Sequence, residues 1–163
     1  MISGKAIDAA AGQVALWQRL PGQPGFQIVA NGTTIAGQYE IARAAGLVQT
    51  NRKWYVTAGG VQSPTIEQSV RAEVTLSSSI TAHVAVILSG GVTPRHAHEQ
   101  VLLEASHGGA WRVFARPRLS RASRYAVAAP FVGHRSVDVR TVFPGDQRNV
   151  RSYSPVIAIA AAP

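Results

Sequence analysis

The residues of this chain that could do chemistry are few, and their spacing limits what they could do. His96-Ala97-His98 with Glu99 sets two imidazoles two residues apart on an extended segment, half of a transition-metal site. No third ligand is identifiable, so the segment reads as a solvated loop. Asp146 and Asn149 share a long hairpin, but calcium wants more convergent oxygens than two. Asp and Asn at a turn more often bond their own backbone. There is no G-x-S-x-G elbow and no H-E-x-x-H. The eight acidic residues are scattered singly, which leaves little for a carboxylate pair. No enzyme activity, cofactor or metal is expected.

Arginine offers more. Arg112, Arg116, Arg118, Arg121 and Arg124 cluster around one strand pair and its turn, and Arg148 and Arg151 lie in the long hairpin. Such a patch could bind an anionic polymer (teichoic acid, acidic polysaccharide or nucleic acid) through phosphate or carboxylate contacts. Aromatic residues are thin there, so base stacking is not indicated and nucleic acid is the less favoured partner. The 163 residues carry 16 basic and 8 acidic side chains, a net charge of +8. Most of the excess falls in the second half. An arginine excess beside abundant Ala, Gly and Pro also arises from composition alone.

The elements that hold these residues come in two copies. Ile2-Ser3-Gly4, Gln13-Val14-Ala15-Leu16, Phe26-Gln27-Ile28-Val29-Ala30 and Gly37-Gln38-Tyr39 recur in order. Their counterparts are Leu88-Ser89-Gly90, Gln100-Val101-Leu102-Leu103, Trp111-Arg112-Val113-Phe114-Ala115 and Ser123-Arg124-Tyr125. Ser63-Pro64 answers Ser154-Pro155, and Val56 is set against Arg140, which makes the last hairpin of the second copy seven residues longer. Period-two patterning in short runs, punctuated by Gly, Pro, Asn and Ser, predicts an all-β fold. Asn31-Gly32 and Gly59-Gly60 predict hairpin turns, and a turn also accounts for the Asn31-Gly32-Thr33 glycosylation sequon. Residues 40–47 read as strand end and loop.

The expected fold is two tandem immunoglobulin-like β-sandwiches, residues 1–69 and 70–163. The first core is expected from Val14, Leu16, Ile28, Tyr39, Ile41 and Val56. The second is expected from Val86, Leu88, Val101, Leu103, Val113, Tyr125, Val127, Val137, Val139 and Ile157. Trp111 matches Phe26, which predicts core for both. Trp17 matches Glu104, which predicts an exposed face where an aromatic contact with a carbohydrate or protein could form.

Residues 71–76 read as the first strand of the second copy, and the first copy has no equivalent before Ile2. Its edge at Ile2, Ser3, Gly4, Lys5 and Ala6 is therefore expected to be open. The chain could be a fragment of a longer protein, the first sandwich could tolerate the loss, or a partner's strand could fill the gap. The last reading allows a homo-oligomer, a neighbouring domain or a strand-exchanging assembly. No apolar run is long enough to span a membrane, and there is no signal peptide within these residues.

The second copy resembles a bacterial immunoglobulin-like repeat of secreted and wall-associated proteins from high-GC Gram-positive bacteria. Leu88-Ser89-Gly90-Gly91-Val92-Thr93-Pro94, Gln100-Val101-Leu102-Leu103, Trp111-Arg112-Val113, Tyr125 and Phe143-Pro144-Gly145-Asp146 carry the likeness. Glu99 departs from it, standing where the pattern favours Gly. The resemblance implies a non-catalytic extracellular or cell-surface module, a spacer or presenter whose partner is a protein or cell-wall polymer.

Overall fold

The computed structural model of the chain describes residues 2–5, 12–41, 48–81, 85–129 and 136–159. Among those residues the regular structure is entirely β. It divides into two compact units, Met1–Val70 with Gln147–Asn149, and Arg71–Asp146 with Val150–Pro163.

The second unit has the immunoglobulin-like arrangement of two facing sheets. One contains β8 (Glu73–Val74), β9 (Ser77–Thr81), β10 (Ala85–Thr93) and β13 (Arg124–Ala129), with β10 in the middle. The other contains β11 (Leu102–His107), β12 (Ala110–Ala115), β14 (Val137–Phe143), β15 (Ser152–Tyr153) and β16 (Ile157–Ile159), in the order β12-β11-β14 with β15 and β16 both beside β14. Leu88, Val101, Leu103, Leu119, Val139 and Phe143 fill the space between them, none more than 1% exposed. The first strand changes sheets. Arg71 bridges Val150 in parallel, then β8 and β9 run antiparallel to β10 in a single register, Val74 opposite Val92 and Ser77 opposite Ser89.

The first unit contains β1 (Ile2–Lys5), β2 (Gln13–Arg19), β3 (Gln27–Ile35), β4 (Gln38–Ile41), β5 (Arg52–Ala58), β6 (Val61–Gln62) and β7 (Ile66–Gln68). They form one sheet, β1-β4-β3-β2-β5, with β6 and β7 both beside β5. The long β3 joins its two parts: it pairs with β2 up to Thr33 and with β4 from Thr34. The sheet thus folds back so that Ile41 of β4 shares one buried cluster with Val14, Leu16, Trp54 and Val56.

The repeat is visible bond by bond. β1 pairs with β4 and β10 with β13 in registers 86 residues apart, Gly4 opposite Tyr39 and Gly90 opposite Tyr125. The Ser63 N–H donates to the Val56 carbonyl at 2.8 Å, and its hydroxyl accepts the Val56 N–H at 3.0 Å. Ser154 does the same with Thr141, at 2.9 Å in both directions. Both hydroxyls donate onward to the carbonyl of the following proline, Pro64 or Pro155. Val56 therefore corresponds to Thr141, not to Arg140. The offset steps from 85 to 91, so the last hairpin of the second unit is six residues longer rather than seven.

A shared β-bulge explains two misplaced core residues. Leu16 faces Ala30 and Trp17 faces Ile28, with Val29 the extra residue; Leu103 faces Ala115 and Glu104 faces Val113, with Phe114 the extra residue. In each unit the extra residue turns inward against the core. The residue before it is carried to the outer face, so Ile28 is 50% and Val113 37% exposed. Strict alternation had placed both inside.

Asn31-Gly32 is not a turn. Both residues lie within β3, paired with Ala15 and Val14, and a Cβ on Gly32 would sit 3.2 Å from the Ile41 side chain. This glycine makes room for the core. The β3–β4 turn falls at Ala36 and Gly37, whose φ angles of 50° and 73° are left-handed. Gly59 and Gly60 do make the turn into β6. In residues 40–47, Glu40 and Ile41 end β4, and 42–47 lie outside the described residues.

Candidate functional site

The five central arginines of the second unit lie on two edge strands and on the segment that joins them. Arg112 lies in β12 and Arg124 in β13, the edge strands of the two sheets among the described residues. Arg116, Arg118 and Arg121 lie in the segment that crosses between these strands. All five are exposed, and none has a carboxylate within 4 Å among the described residues. Arg118 donates to the His98 carbonyl at 3.1 Å. Arg148 and Arg151 lie outside this segment of the chain. Arg148 belongs to the first unit, and Arg151 stands 3.9 Å from Glu104 beside the Tyr153 ring.

Sequence reasoning passed over the ion pair of Glu104 and Arg140. Glu104 is 6% exposed, and its Oε2 accepts from Arg140 Nε and Nη2, both at 2.8 Å. The Arg140 guanidinium also lies 4.1 Å from the Trp111 ring centroid and 4.7 Å from that of Tyr153. Cation–π attraction and an ion pair thus hold one arginine on the outer face of the β12-β11-β14 sheet. Trp111 is part of this face, not of the core. Glu104 and Arg140 each stand between buried strand residues, a pattern that marks both as outer-face charges, and strand pairing is what brings them together.

At the matching positions of the first unit the charges are replaced by rings. Trp17 stands for Glu104, and its pairing partner Tyr55 stands for Arg140. The two rings stack at 5.6 Å, Phe26 meets Tyr55 at 4.6 Å, and Arg19 lies 5.1 Å over Phe26. Phe26 is therefore also on a face rather than in the core. Trp17 is half-buried, and its indole N–H donates to Thr57 Oγ1 at 3.0 Å. A cleft at the end of this sheet is lined by Arg19, Gln23, Arg52, Lys53, Glu67 and Gln68, among others. The ammonium of Lys53 hydrogen-bonds the Glu67 carboxylate and holds its pKa below the usual value.

The two histidines do not converge. His96 is fully buried against Phe143, with Nδ1 3.0 Å from the Asp146 carboxylate. His98 is exposed at a left-handed φ of 68°. Only His98 fits the expected solvated loop; the Asp146 carboxylate and the Ser123 hydroxyl, which accepts the His96 N–H, draw His96 inward. Among the described residues, no three His, Asp or Glu side chains gather as a metal would need. Asn149 is also buried, and its amide donates to the Gln49 and Val70 carbonyls at 2.8 and 3.2 Å.

Of the expected open edge, Ile2, Ser3, Gly4 and Lys5 form β1, and Ala6 lies outside the described residues. One side of β1 pairs with β4; among the described residues the other side pairs with nothing. In the second unit the equivalent side of β10 is covered by β8 and β9. There Tyr125 leans across Gly90, where any Cβ would collide with the Thr75 carbonyl, and donates its hydroxyl to that carbonyl at 2.9 Å. Tyr39 leans across Gly4 in the same way.

No family model matches the chain, and no curated protein matches it. Among solved structures it is similar to one described as a tetra-tandem repeat in the extending region of a large adhesion protein, at 19% identity and a TM-score of 0.46. The likeness covers 98% of this chain and 44% of that one, so the chain spans less than half its length.

Proposed function

We propose that this chain is a non-catalytic structural and adhesive module of a secreted or cell-surface protein, of the bacterial immunoglobulin-like repeat type. The observation that carries the reading is what the two units share. The Gly–Tyr strand pair, the bulge at Val29 and Phe114, and the Ser-Pro hydrogen-bonding unit all define the backbone. Several outer-face residues differ between the units, as when Trp17 and Tyr55 replace Glu104 and Arg140. A repeated scaffold with variable faces suits a spacer that presents surfaces to a protein or wall polymer. The test is binding of the full chain to purified bacterial wall fractions and immobilised host-matrix proteins. Retention weakened by Trp17→Ala supports the reading; no retention on any surface counts against it.

A second reading rests on the arginines from Arg112 to Arg124, which have no carboxylate within 4 Å among the described residues. Here the partner is an anionic polymer, and affinity falls steeply with salt as counterions are recaptured. Replacing Arg116, Arg118 and Arg121 by Ser should lower the salt concentration needed to elute the chain from heparin or teichoic acid resin. An unchanged elution position would reject it.

A further inference from the structure

We propose that the outer face of the first unit binds a carboxylated sugar, its pyranose ring against Trp17 and Tyr55 and its carboxylate on Arg19. The inference rests on the adhesive reading above and names the partner of the aromatic face. Strand pairing sets these side chains out in rows. Ile28, Trp17 and Tyr55 stand side by side across β3, β2 and β5. Arg19, Lys53 and Glu67 stand side by side across β2, β5 and β7. Residues directly opposite on antiparallel strands share a face, as do residues two apart on one strand. An apolar row and a charged row thus adjoin on one surface. The Trp17 and Tyr55 rings lie within 19° of parallel, and Ile28 beside them is 50% exposed. Such π faces carry negative charge and attract the weakly positive C–H groups of a sugar ring.

The charged row opens onto the cleft at the end of the sheet, whose volume of about 470 Å³ suits a small ligand. Arg19 belongs to both, lying over the Phe26 ring and lining the cleft. Three cationic side chains line it, Arg19, Arg52 and Lys53, against one carboxylate, Glu67, which Lys53 holds. Arg19 has no carboxylate within 4 Å among the described residues. Two amides extend the donor set. Gln23 Oε1 accepts the Leu20 N–H at 2.9 Å, and Gln68 Oε1 accepts the Trp54 indole N–H at 3.0 Å. Each bond fixes which end of the amide is nitrogen, and neither NH2 group has a partner among the described residues. A cleft rich in N–H donors fits a ligand rich in acceptors, and the two oxygens of a carboxylate match the guanidinium fork. A neutral sugar would leave the charge of Arg19 unanswered, and a bare inorganic anion would leave the aromatic row unused. A sugar acid engages both.

The test is an NMR titration of the full chain, isotopically labelled at the indole nitrogens, with tetragalacturonate, a hyaluronan hexasaccharide and sialyllactose. The indole N–H of Trp17, bonded to Thr57, reports the aromatic row, and that of Trp54, bonded to Gln68, reports the cleft. The expected result is saturable binding of at least one sugar acid at a Kd of roughly 0.1–1 mM. The Trp17 and Trp54 signals should move and that of Trp111 should stay. Which sugar binds tells a uronate within a polysaccharide from a terminal sialic acid. The methyl ester of the bound sugar keeps the ring and loses the charge, and should bind roughly 10-fold more weakly, as loss of a charged hydrogen bond does. Arg19→Gln should weaken the acid by a similar factor and leave the ester unchanged, whereas Trp17→Ala should weaken both. No saturable binding of any of the three, movement of the Trp111 signal instead, or equal binding of a hexaglutamate peptide would overturn the proposal. The adhesive reading survives that failure if Trp17→Ala still weakens retention on matrix protein. It fails alone if the sugars bind but no surface retains the chain.

Discussion

The Tyr125 hydroxyl lies 2.6 Å from Thr141 Oγ1. Because Tyr125 gives its proton to the Thr75 carbonyl, Thr141 must donate to Tyr125, and the chain of bonds ties β14 and β13 to the first strand of the unit. Burial pushes the Tyr125 phenol up from 10.0 to about 12, against a smaller opposing pull from Thr141.

This shift makes the second unit sensitive to alkali. The unfolded chain releases the phenol proton near pH 10, the folded chain only near 12. The contribution is therefore intact below pH 10 and is lost as pH rises through that window. Two pH units correspond to roughly 2–3 kcal/mol. Urea unfolding at intervals between pH 9 and 12 should show a steeper loss in the native chain than in Tyr125→Phe. Parallel slopes would contradict it.

The turn at Ala36 makes a prediction of opposite sign. A residue with a side chain at φ 50° pays about 1–2 kcal/mol that glycine does not. Ala36→Gly should stabilise the first unit by about 0.5–1 kcal/mol after the entropy of glycine is counted. Asn31→Ala, which would be costly if Asn31 made the turn, should change little. Thermal melts of the two variants distinguish the placements.

Removing Arg140 should cost more than its exposure suggests. Arg140→Met leaves Glu104 buried with Arg151 at 3.9 Å as its remaining cation among the ion pairs of this face, and should destabilise by about 3 kcal/mol. Adding Glu104→Met removes the stranded charge and should restore most of the loss. If the double variant is no more stable than the single one, packing on Trp111 and Tyr153 is what matters.

Asn149→Ala strips the donors from the Gln49 and Val70 carbonyls and should destabilise by about 2–3 kcal/mol. Although the residue follows most of the second unit in sequence, the loss should be felt in the first. Trp17 and Trp54 report the first unit, so fluorescence unfolding in a Trp111→Phe background reads it directly.

Much of this architecture is legible in one sequence because the chain repeats itself. Leu16 and Leu103, or Tyr39 and Tyr125, support each other where either alone would be ambiguous. What misleads is local. Alternation assumes an unbroken ladder, so one extra residue at Val29 and at Phe114 turns Ile28 and Val113 outward in both units alike. Asn-Gly is a strong turn signal, but the need for space beside Ile41 also selects glycine, and residue type cannot separate the two causes. The arginines from Arg112 to Arg124 were visible as a cluster. The Glu104–Arg140 pair was not, because its partners are 36 residues apart and meet only through strand pairing. His96 looked like part of a polar loop because the carboxylate that draws it inward lies 50 residues later.

The loop that carries Gln147–Asn149 into the first unit has a consequence in time. Asn149 bonds to carbonyls 79 and 100 residues earlier. A ribosome delivers the chain from its N-terminus, and domains commonly fold as they emerge. Here the bonds that Asn149 gives to the Gln49 and Val70 carbonyls form only after most of the second unit has been synthesised. Until then those two carbonyls lack the donors that Asn149 supplies in the folded chain.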